Sequence, residues 1–472
     1  MQGLRAIAVL LVIISHAELS IASGGFVGVD VFFVLSGFLI TGLLLRELES
    51  SNRIDFAQFF ARRMKRLLPA LILMVCVCSA VAMALLSGVE AHSQLASSPF
   101  ALTWSSNLYF ALSSIDYFDE LASRDLFLHT WSLGVEEQFY LLWPLVMLAL
   151  YKMKGFSTAN KRDSRNRILI GFGVAFVCSF ILSLYLDSTN SQAAFYMMPA
   201  RIWQLALGAS VSVLLLRGYT LNKITAHILL AFGIILIVGS AIVLHSKLAN
   251  LRSWALLPSF GAAMVIFAGH TLQRRKDNIL SLPVLTWVGD RSYSLYLWHW
   301  PILVFGFTFG YRGQPLPTLV LILITFLVAM FSYQLIERPI WKGRFSQLRT
   351  SKVLIGSLVI TVATTLILTQ NLQRLPNPNT STDSSNQWRA DMPLIYRMSC
   401  DSWYASSKVV PCAFGTDAAK QTVVSLGDSI GSQWFSMVLD LFPQPNWRTV
   451  ALTKSSCALV DEDYYYQRIN ST

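Results

Sequence analysis

Two ionisable residues lie eleven positions apart in the first apolar segment of the chain, QGLRAIAVLLVIISHAEL. On an α-helix, eleven residues turn through about three full turns and advance about 16 Å, so Arg5 and His16 share one face. Ionisable groups inside a membrane are costly and usually mark a functional pathway. The alternative is that Arg5 is a helix-end charge reaching the membrane surface and that His16 is a hydrogen-bonded packing residue. We expect a site that starts near one membrane surface and continues inward.

A second polar group lies in the segment HTWSLGVEEQFYLLWP. The adjacent acids Glu136 and Glu137 would be costly in an apolar helix, so we expect one of them to pair with a cation or to keep its proton. His129 precedes Glu136 by seven residues, which predicts that both lie on one helical face. A carboxylate there could orient a histidine or bind sugar hydroxyls. The structural alternative is an internal ion pair with an arginine such as Arg201.

The segment RRMKRLLP concentrates positive charge before the third apolar stretch. Arg62, Arg63 and Arg66 carry forked guanidinium groups that match phosphate oxygens. The usual excess of Lys and Arg on the cytoplasmic side of membrane proteins explains such a cluster equally well. Further candidates for polar contacts with a substrate are Asp30, His129, Trp131, Ser132, Arg201 and His299. A packing role is equally open for His299, which stands between two tryptophans.

The elements that must position these residues are membrane helices. The 472 residues are 54% hydrophobic and 13% charged, with a mean hydropathy of +0.52, which excludes an ordinary soluble protein. We predict eleven spans, at about 4–22, 26–45, 67–88, 131–151, 168–186, 199–216, 224–244, 253–272, 293–309, 317–336 and 353–369. The long segment 89–130 between the third and fourth spans is a candidate lid or acceptor platform.

Loop charge predicts the orientation of these spans. One set of alternate loops carries 23 Lys and Arg residues and the other set carries four. Because positive residues accumulate on the cytoplasmic side, we expect a cytoplasmic N-terminus and, after eleven spans, an outside C-terminal region. The formal net charge of +11 then reflects topology and calls for no nucleic-acid partner. No cleavage-site pattern follows the first helix, so we interpret it as a retained span rather than a signal peptide.

The C-terminal region changes character. RLPNPNTSTDSSNQW has the composition of a linker, and QTVVSLGDSIGSQWFSMVLDLF predicts a buried strand, a tight turn and an amphipathic helix, the start of an α/β domain. Cys400, Cys412 and Cys457 all lie in the predicted outside region. We expect Cys400 and Cys412 to form a disulfide in an oxidising compartment, which leaves Cys457 unpaired or as an alternative partner.

Six ordered motifs within residues 1–340 resemble acyltransferase family 3 membrane proteins. They are GLRAIAVLLVIISH, FVGVDVFFVLSGFLIT, FFARRMKRLLPA, HTWSLGVEEQFYLLWP, YSLYLWHWP and SYQLIERPIW. The chain is most similar to the branch of this family that carries an extracytoplasmic SGNH-type domain. The resemblance implies a bacterial inner-membrane enzyme that transfers an acyl group, usually acetyl, from cytoplasmic acyl-CoA to an extracytoplasmic carbohydrate such as O-antigen.

The resemblance also implies roles for individual residues. Arg5 and His16 match the family's Arg-x10-His motif, and Arg62, Arg63 and Arg66 match its basic motif. We expect all four arginines to bind the phosphates of acetyl-CoA or another acyl-CoA. His16 would act as a general base on an acceptor hydroxyl or accept the acyl group transiently. Glu136 or Glu137 would orient the histidine or the acceptor, and no metal is expected.

Two departures from the family pattern stand out. Gln204 occupies a position where many relatives carry a glutamate, so we assign no catalytic acid to that helix. The short polar leader that usually precedes GLRA is almost absent, which is consistent with a misassigned start.

The resemblance divides the chain into three parts. Residues 1–345 are the membrane domain of ten core spans, 346–390 an eleventh span with a linker, and 391–472 the N-terminal part of an SGNH-like α/β domain. Ser429 in the GDS triplet is the candidate nucleophile of that domain. SGNH chemistry needs a later Asp-x-x-His pair, and no histidine follows Ser429, so the domain is expected to be truncated or inactive. A glycan transporter or flippase that transfers no acyl group is the alternative function for the membrane part.

Overall fold

The structure, a computed structural model, comprises two compact units, residues 1–377 and residues 378–472. It describes residues 1–113, 115–117, 124–152, 161–245, 251–272, 278–376, 394–398, 400 and 408–454.

The first unit is built from helices. In chain order they are α1 (Gln2–His16), α2 (Gly28–Ser51), α3 (Phe56–Leu85), α4 (Gly88–Leu95), α5 (Ser98–Leu102), α6 (Ser106–Leu112), α7 (Trp131–Lys152), α8 (Lys161–Thr189), α9 (Ser191–Tyr196), α10 (Ile202–Leu216), α11 (Lys223–Val243), α12 (Leu251–Trp254), α13 (Leu256–Thr271), α14 (Pro283–Asp290), α15 (Ser292–Thr308), α16 (Pro315–Ser332), α17 (Arg338–Trp341) and α18 (Thr350–Arg374). A π-helical turn, Tyr333–Glu337, joins α16 to α17.

Every predicted apolar segment corresponds to a helix, as a polytopic membrane bundle requires. Among the described residues, seven helical stretches are long and apolar enough to cross a membrane. They are Gly25–Ser51, Phe56–Leu85, Leu128–Lys152, Asp163–Thr189, Lys223–Val243, Pro315–Gln347 and Thr350–Arg374. The apolar helices α1, α10 and α13 are shorter. A total of eleven crossings therefore stays a prediction.

The first helix ends earlier than predicted. The span was expected at 4–22, but α1 stops at His16 and two 3-10 turns, Ser20–Ala22 and Gly25–Val27, lead into α2. The chain can turn back against α1 here because Gly25 has no side chain. A Cβ at this position would overlap the backbone carbonyl of Leu11. With 15 residues, α1 is about 22 Å long, shorter than the roughly 30 Å hydrocarbon core of a bilayer. His16 thus lies at the end of a short helix rather than in the middle of a long one.

The third helix begins earlier than predicted. It starts at Phe56 because the Asp55 side chain caps it, accepting a hydrogen bond from the Gln58 backbone N–H at 2.9 Å. The basic cluster at 62–66 was expected before the helix and instead lies within its first three turns. The helix therefore projects these arginines at fixed angles.

Helix α2 packs at the centre of the bundle against α1, α7, α10 and α13. Its closest partner is α10, where Gly37 of α2 touches the Leu205 carbonyl and Gly208 of α10 touches the Val34 carbonyl. A Cβ at either glycine would overlap the facing backbone, so these two helices can approach only because both residues lack a side chain. This packing fixes α2, which forms one wall of the cavity described below.

The boundary between the two units falls after α18. The sequence predicts a linking span and a linker over 346–390, and the helix of that span, α18, packs against α3 and α5 of the first unit. It is therefore part of the bundle by its contacts.

The second unit contains a three-stranded sheet. Its strands are β1 (Cys412–Phe414), β2 (Gln421–Gly427) and β3 (Trp447–Thr453), and its helices are α19 (Leu394–Arg397), α20 (Ser429–Gln433) and α21 (Phe435–Leu441). The strand order is β1-β3-β2, with β3 antiparallel to β1 and parallel to β2. The predicted disulfide between Cys400 and Cys412 is present, and Cys457 lies outside the described residues. The predicted strand and turn are confirmed, but β2 is largely exposed rather than buried, with Val424 49% and Leu426 57% exposed, and the predicted helix is divided into α20 and α21. An SGNH identity stays a prediction.

Candidate functional site

A cavity of about 450 Å³ opens beside the N-terminus of α1, a size within the range of small-molecule sites. Five helices line it: α1, α2, α3, α7 and α15. On α2 the lining residues recur every three or four positions, which is the spacing of one helical face. They are Val29, Phe32, Phe33, Leu35, Ser36, Leu39, Ile40, Leu43 and Arg46. From Val29 to Arg46 this stripe extends about 26 Å, so the cavity is long and narrow.

Four arginines line the cavity: Arg5 of α1, Arg63 and Arg66 of α3, and Arg46 near the end of α2. The Arg63 guanidinium stacks over the ring of Tyr140 at 3.7 Å, and the Arg66 guanidinium stacks over Trp341 at 4.6 Å. These aromatic contacts orient the guanidinium groups while leaving their N–H edges available.

Arg62, also predicted to bind phosphate, is exposed and is not among the cavity-lining residues. The geometry therefore singles out Arg63 and Arg66 from the cluster. Arg46 lines the cavity, although the sequence predicts phosphate binding by Arg62 instead.

Glu136 is the one predicted acid that lines the cavity. Ser36 donates a hydrogen bond to its carboxylate at 2.8 Å, and the Tyr140 hydroxyl donates another at 2.9 Å. Glu137, the adjacent acid, is not a lining residue. These contacts place Glu136 on the arginine side of the site rather than beside His16.

His129 and Glu136 are predicted to share one helical face, and this stays a prediction. His129 lies in a 3-10 turn, Leu128–Thr130, that leads directly into α7 at Trp131. His129 donates from Nε2 to the backbone carbonyl of Leu297 at 3.1 Å. Pro301 explains this contact, because proline has no N–H and cannot bond the carbonyl four residues before it. His129 thus satisfies the carbonyl that Pro301 leaves open.

The deep end of the cavity is closed by Ser132 and Tyr296. The Tyr296 hydroxyl donates to the backbone carbonyl of His129 at 2.8 Å, and Ser132 Oγ donates to the Tyr296 oxygen at 2.6 Å. His299 follows Tyr296 by three residues on α15, or about 4.5 Å along the helix axis. The cavity therefore stops about one helical turn short of the histidines.

Three buried histidines form a cluster beyond this wall. His16 Nδ1 lies 2.9 Å from His299 Nε2, and the two rings are nearly coplanar, with an interplanar angle of 6° and centroids 5.2 Å apart. The centroid of the His129 ring is 5.5 Å from that of His299. The second nitrogen of His16, Nε2, lies 2.7 Å from the hydroxyl of Tyr117 in the segment between α6 and α7. Arg5 and His16, predicted as one functional pair, thus lie on opposite sides of the cavity wall.

Asp30 and Arg201, both predicted as substrate contacts, form a buried ion pair. The Asp30 carboxylate accepts from Gln204 at 2.6 Å and from Arg201 at 3.4 Å. Arg201 also lies over the rings of Trp131 and Phe195. The predicted internal ion pair of Arg201 therefore exists, but its acid is Asp30 rather than Glu136 or Glu137. Together these groups tie α2 to α10.

Several site residues escaped the sequence reasoning. Arg46 contributes only to the loop charge, and Tyr117 gives no signal in the sequence because tyrosines are common near membrane surfaces. Glu337 is 1% exposed, sits in the π-helical turn and accepts a hydrogen bond from Ser294 at 2.8 Å. A carboxylate in an apolar segment just before Arg-Pro was the signal that could have found it.

Ser429 lies at the first residue of α20, directly after β2. The preceding Asp428 caps the helix by accepting from the backbone N–H groups of Ile430 and Gly431 at 2.9 Å and 3.2 Å. The GDS triplet therefore forms the expected strand-to-helix turn. A nucleophilic role for Ser429 stays a prediction.

Comparison with known proteins agrees with this architecture. The family model described as an acyltransferase domain matches residues 1–334. "O-acetyltransferase OatA" of Staphylococcus aureus strain NCTC 8325 / PS 47 is 34% identical over 385 residues, which cover 79% of this chain and 62% of the relative. "Peptidoglycan O-acetyltransferase OatA" of Listeria monocytogenes is 32% identical over 355 residues, which cover 73% of this chain and 56% of the relative. No solved structure matches the chain.

The match falls on the bundle that holds the cavity and the histidine cluster. The chain spans only about three-fifths of the length of the curated relatives that it matches. On the family match across residues 1–334, the chain belongs to acyltransferase family 3.

Proposed function

We propose that this chain transfers an acetyl group from acetyl-CoA, bound in the arginine-lined cavity, to a hydroxyl of an extracytoplasmic cell-wall glycan. One observation carries the proposal: a long cavity is lined by four arginines and stops about one helical turn from His16. A donor bound to the arginines thus lies on a path toward the reacting histidine.

The charge of the cavity supports an acyl-CoA donor. Its lining residues include four arginines, Arg5, Arg46, Arg63 and Arg66, and one acid, Glu136. Coenzyme A is a polyanion with a narrow, flexible arm, so its phosphates suit the arginines and its arm suits the apolar residues along α2. The excess of Lys and Arg on this side of the bundle favours donor entry from the cytoplasm.

The position of His16 supports an acceptor on the opposite side. Because α1 is too short to cross the bilayer, the turn after His16 lies deeper in the membrane than the end of a full-length span would lie. The neighbouring Tyr117 comes from the segment predicted to face outside. A glycan hydroxyl arriving from that side would meet His16 first.

The chemical step follows from these positions. After the Ser132–Tyr296 wall opens, the acceptor hydroxyl gives its proton to His16 Nε2 while its oxygen attacks the thioester carbonyl carbon. The carbon–sulfur bond breaks, and the imidazolium returns the proton to the thiolate of coenzyme A. In the alternative route, Nε2 first takes the acyl group and then passes it to the hydroxyl. Both routes yield an O-acetylated glycan and free coenzyme A.

The names of the relatives favour a peptidoglycan-type acceptor. The Listeria protein is called a peptidoglycan O-acetyltransferase, whereas the family resemblance alone gives O-antigen as an example of an acceptor. We therefore propose a glycan of the peptidoglycan type as the acceptor.

The test is acetyl transfer by the full chain in lipid nanodiscs. Radiolabelled acetyl-CoA is supplied with peptidoglycan fragments in one arm and O-antigen polysaccharide in the other, using wild type, His16→Gln and the control His227→Gln. His227 lies on the exposed surface of α11. We expect label on the peptidoglycan fragments and a loss of about 100-fold or more only in His16→Gln.

Three outcomes would contradict the proposal. Label on O-antigen alone would refute the acceptor, and equal transfer by His16→Gln would refute the role of His16. Movement of glycan across the membrane with no consumption of acetyl-CoA would instead support a flippase.

A further inference from the structure

A chain of hydrogen bonds leads from the backbone of α15 to the hydroxyl of Tyr117. It begins at His299, which is fully buried, where Nδ1 lies 3.2 Å from the backbone carbonyl of Leu295. The opposite nitrogen, Nε2, lies 2.9 Å from His16 Nδ1. His16 Nε2 then lies 2.7 Å from the Tyr117 hydroxyl.

With both imidazoles neutral, one arrangement of protons satisfies all three contacts. A carbonyl can only accept, so His299 Nδ1 carries the proton and its Nε2 is an acceptor. His16 Nδ1 must then donate to His299 Nε2. This leaves a lone pair on His16 Nε2, which accepts from the Tyr117 hydroxyl.

From this arrangement we propose that His299 is a positioning residue for His16. It fixes the His16 tautomer and ring plane so that the lone pair of Nε2, the reacting nitrogen, faces the acceptor side. The inference rests on the proposed function and adds a role to His299 that differs from the substrate contact predicted from sequence.

The surroundings of His299 suit a positioning role. The His299 side chain is fixed by its bond to Leu295 and by its in-plane hydrogen bond to the nearly coplanar His16 ring. The edge of Trp300 packs against His16 with a centroid distance of 4.7 Å. The histidine pair therefore has little freedom to rotate or to exchange its hydrogen-bond partners.

The Tyr117 hydroxyl marks the place that an acceptor hydroxyl takes. It occupies the direction in which His16 Nε2 accepts a proton, at the distance of a strong hydrogen bond. When the acceptor hydroxyl replaces it and gives up its proton, the bond from His16 Nδ1 to His299 becomes charge-assisted and stabilises the imidazolium. In the acyl-imidazole route the same tautomer leaves Nε2 as the nucleophile, so the role of His299 is unchanged.

Two amide substitutions separate this role from simple packing. In His299→Gln, the side-chain oxygen can reach the position of Nε2 and accept from His16 Nδ1. In His299→Asn, the shorter amide can reach the position of Nδ1 and bond the Leu295 carbonyl, but it cannot reach His16. His227→Asn is the matched control, because His227 Nδ1 bonds the carbonyl four residues before it at 2.7 Å on an exposed surface.

The experiment measures kcat and the KM for acetyl-CoA of the full chain in nanodiscs. We expect His299→Asn to lower kcat by on the order of 100-fold with the KM changed by less than about twofold, the pattern of an interaction that acts in the transition state. His299→Gln should keep kcat within about fivefold of wild type, and His227→Asn should match wild type.

Equal losses of kcat in His299→Asn and His299→Gln would overturn the inference, because only the Gln variant keeps an acceptor for His16. Retention of full kcat by His299→Asn would overturn it as well. If the wild type transfers no acetyl group at all, the proposed function fails instead, and acetyl-CoA binding to the same nanodiscs shows whether the donor site survives.

Discussion

The bond between His129 and the carbonyl freed by Pro301 gives a sharp test of the packing around the site. His129→Leu removes the donor, and because the Leu297 carbonyl is buried within α15, it would lose its partner. Pro301→Ala supplies an N–H that can bond this carbonyl in the ordinary helical pattern. The two substitutions should therefore compensate each other.

The size of the effect follows from one unsatisfied group. Leaving a buried carbonyl without a donor costs about 1–3 kcal/mol. We expect His129→Leu to lower the free energy of unfolding by at least that amount in the wild-type background. In the Pro301→Ala background the same substitution loses only packing, so the coupling free energy of the double-mutant cycle should be about 1–3 kcal/mol.

The assay is equilibrium unfolding in mixed detergent micelles, applied to wild type, both single variants and the double variant. Acetyl transfer by the same four proteins tests the sequence-based expectation that His129 contacts substrate. A coupling free energy near zero would refute the hydrogen-bond argument, since His129→Leu would then cost the same with and without Pro301.

Three further predictions concern the wall, the ion pair and the external segment. Tyr296→Ala shortens the wall at the deep end of the cavity, so the ratio of propionyl to acetyl transfer should rise at least about tenfold; an unchanged ratio would show that Tyr296 does not limit acyl length. Asp30→Ala removes the carboxylate that Arg201 and Gln204 share, and we expect a cost of about 3–5 kcal/mol in unfolding free energy, against about 1 kcal/mol or less for Glu18→Ala in the exposed pair with Arg312. A similar cost at both sites would contradict the buried pair. Burial raises the pKa of the Asp125 carboxyl from 3.8 to about 7, so the folded state binds more protons than the unfolded state between these values and stability falls as pH rises through them. Asp125→Asn should therefore raise the melting temperature relative to wild type more at pH 8 than at pH 4, and a difference independent of pH would rule this out.

The sequence could predict what depends on local pattern. Apolar segments located the helices. The excess of Lys and Arg on the cytoplasmic side predicted that Arg5, Arg63 and Arg66 lie on the same side of the membrane, and in the structure all three line one cavity. The disulfide between Cys400 and Cys412 and the turn at Ser429 likewise follow from nearby residues.

What the sequence could not predict depends on contacts between distant segments. His16 and His299 are 283 positions apart, and Asp30 and Arg201 are 171 apart, so no spacing rule pairs them. The seven-residue step from His129 to Glu136 crosses from a 3-10 turn into α7, so spacing alone does not fix the relative direction of the two side chains. Arg62 and Arg63 are neighbours, yet only Arg63 faces the cavity, which depends on where α3 begins.

In the proposed function, the cavity binds acyl-CoA with its phosphates at the arginines and its acyl end toward His16. The most direct measurement is an experimental structure of the chain in nanodiscs with a non-hydrolysable acetyl-CoA analogue. We expect the phosphates within ion-pair distance of Arg5, Arg63 or Arg66 and the acetyl group at Ser132 and Tyr296 or beyond them, against His16. Density for the analogue outside this cavity, or with its acyl end at the arginines, would contradict the account.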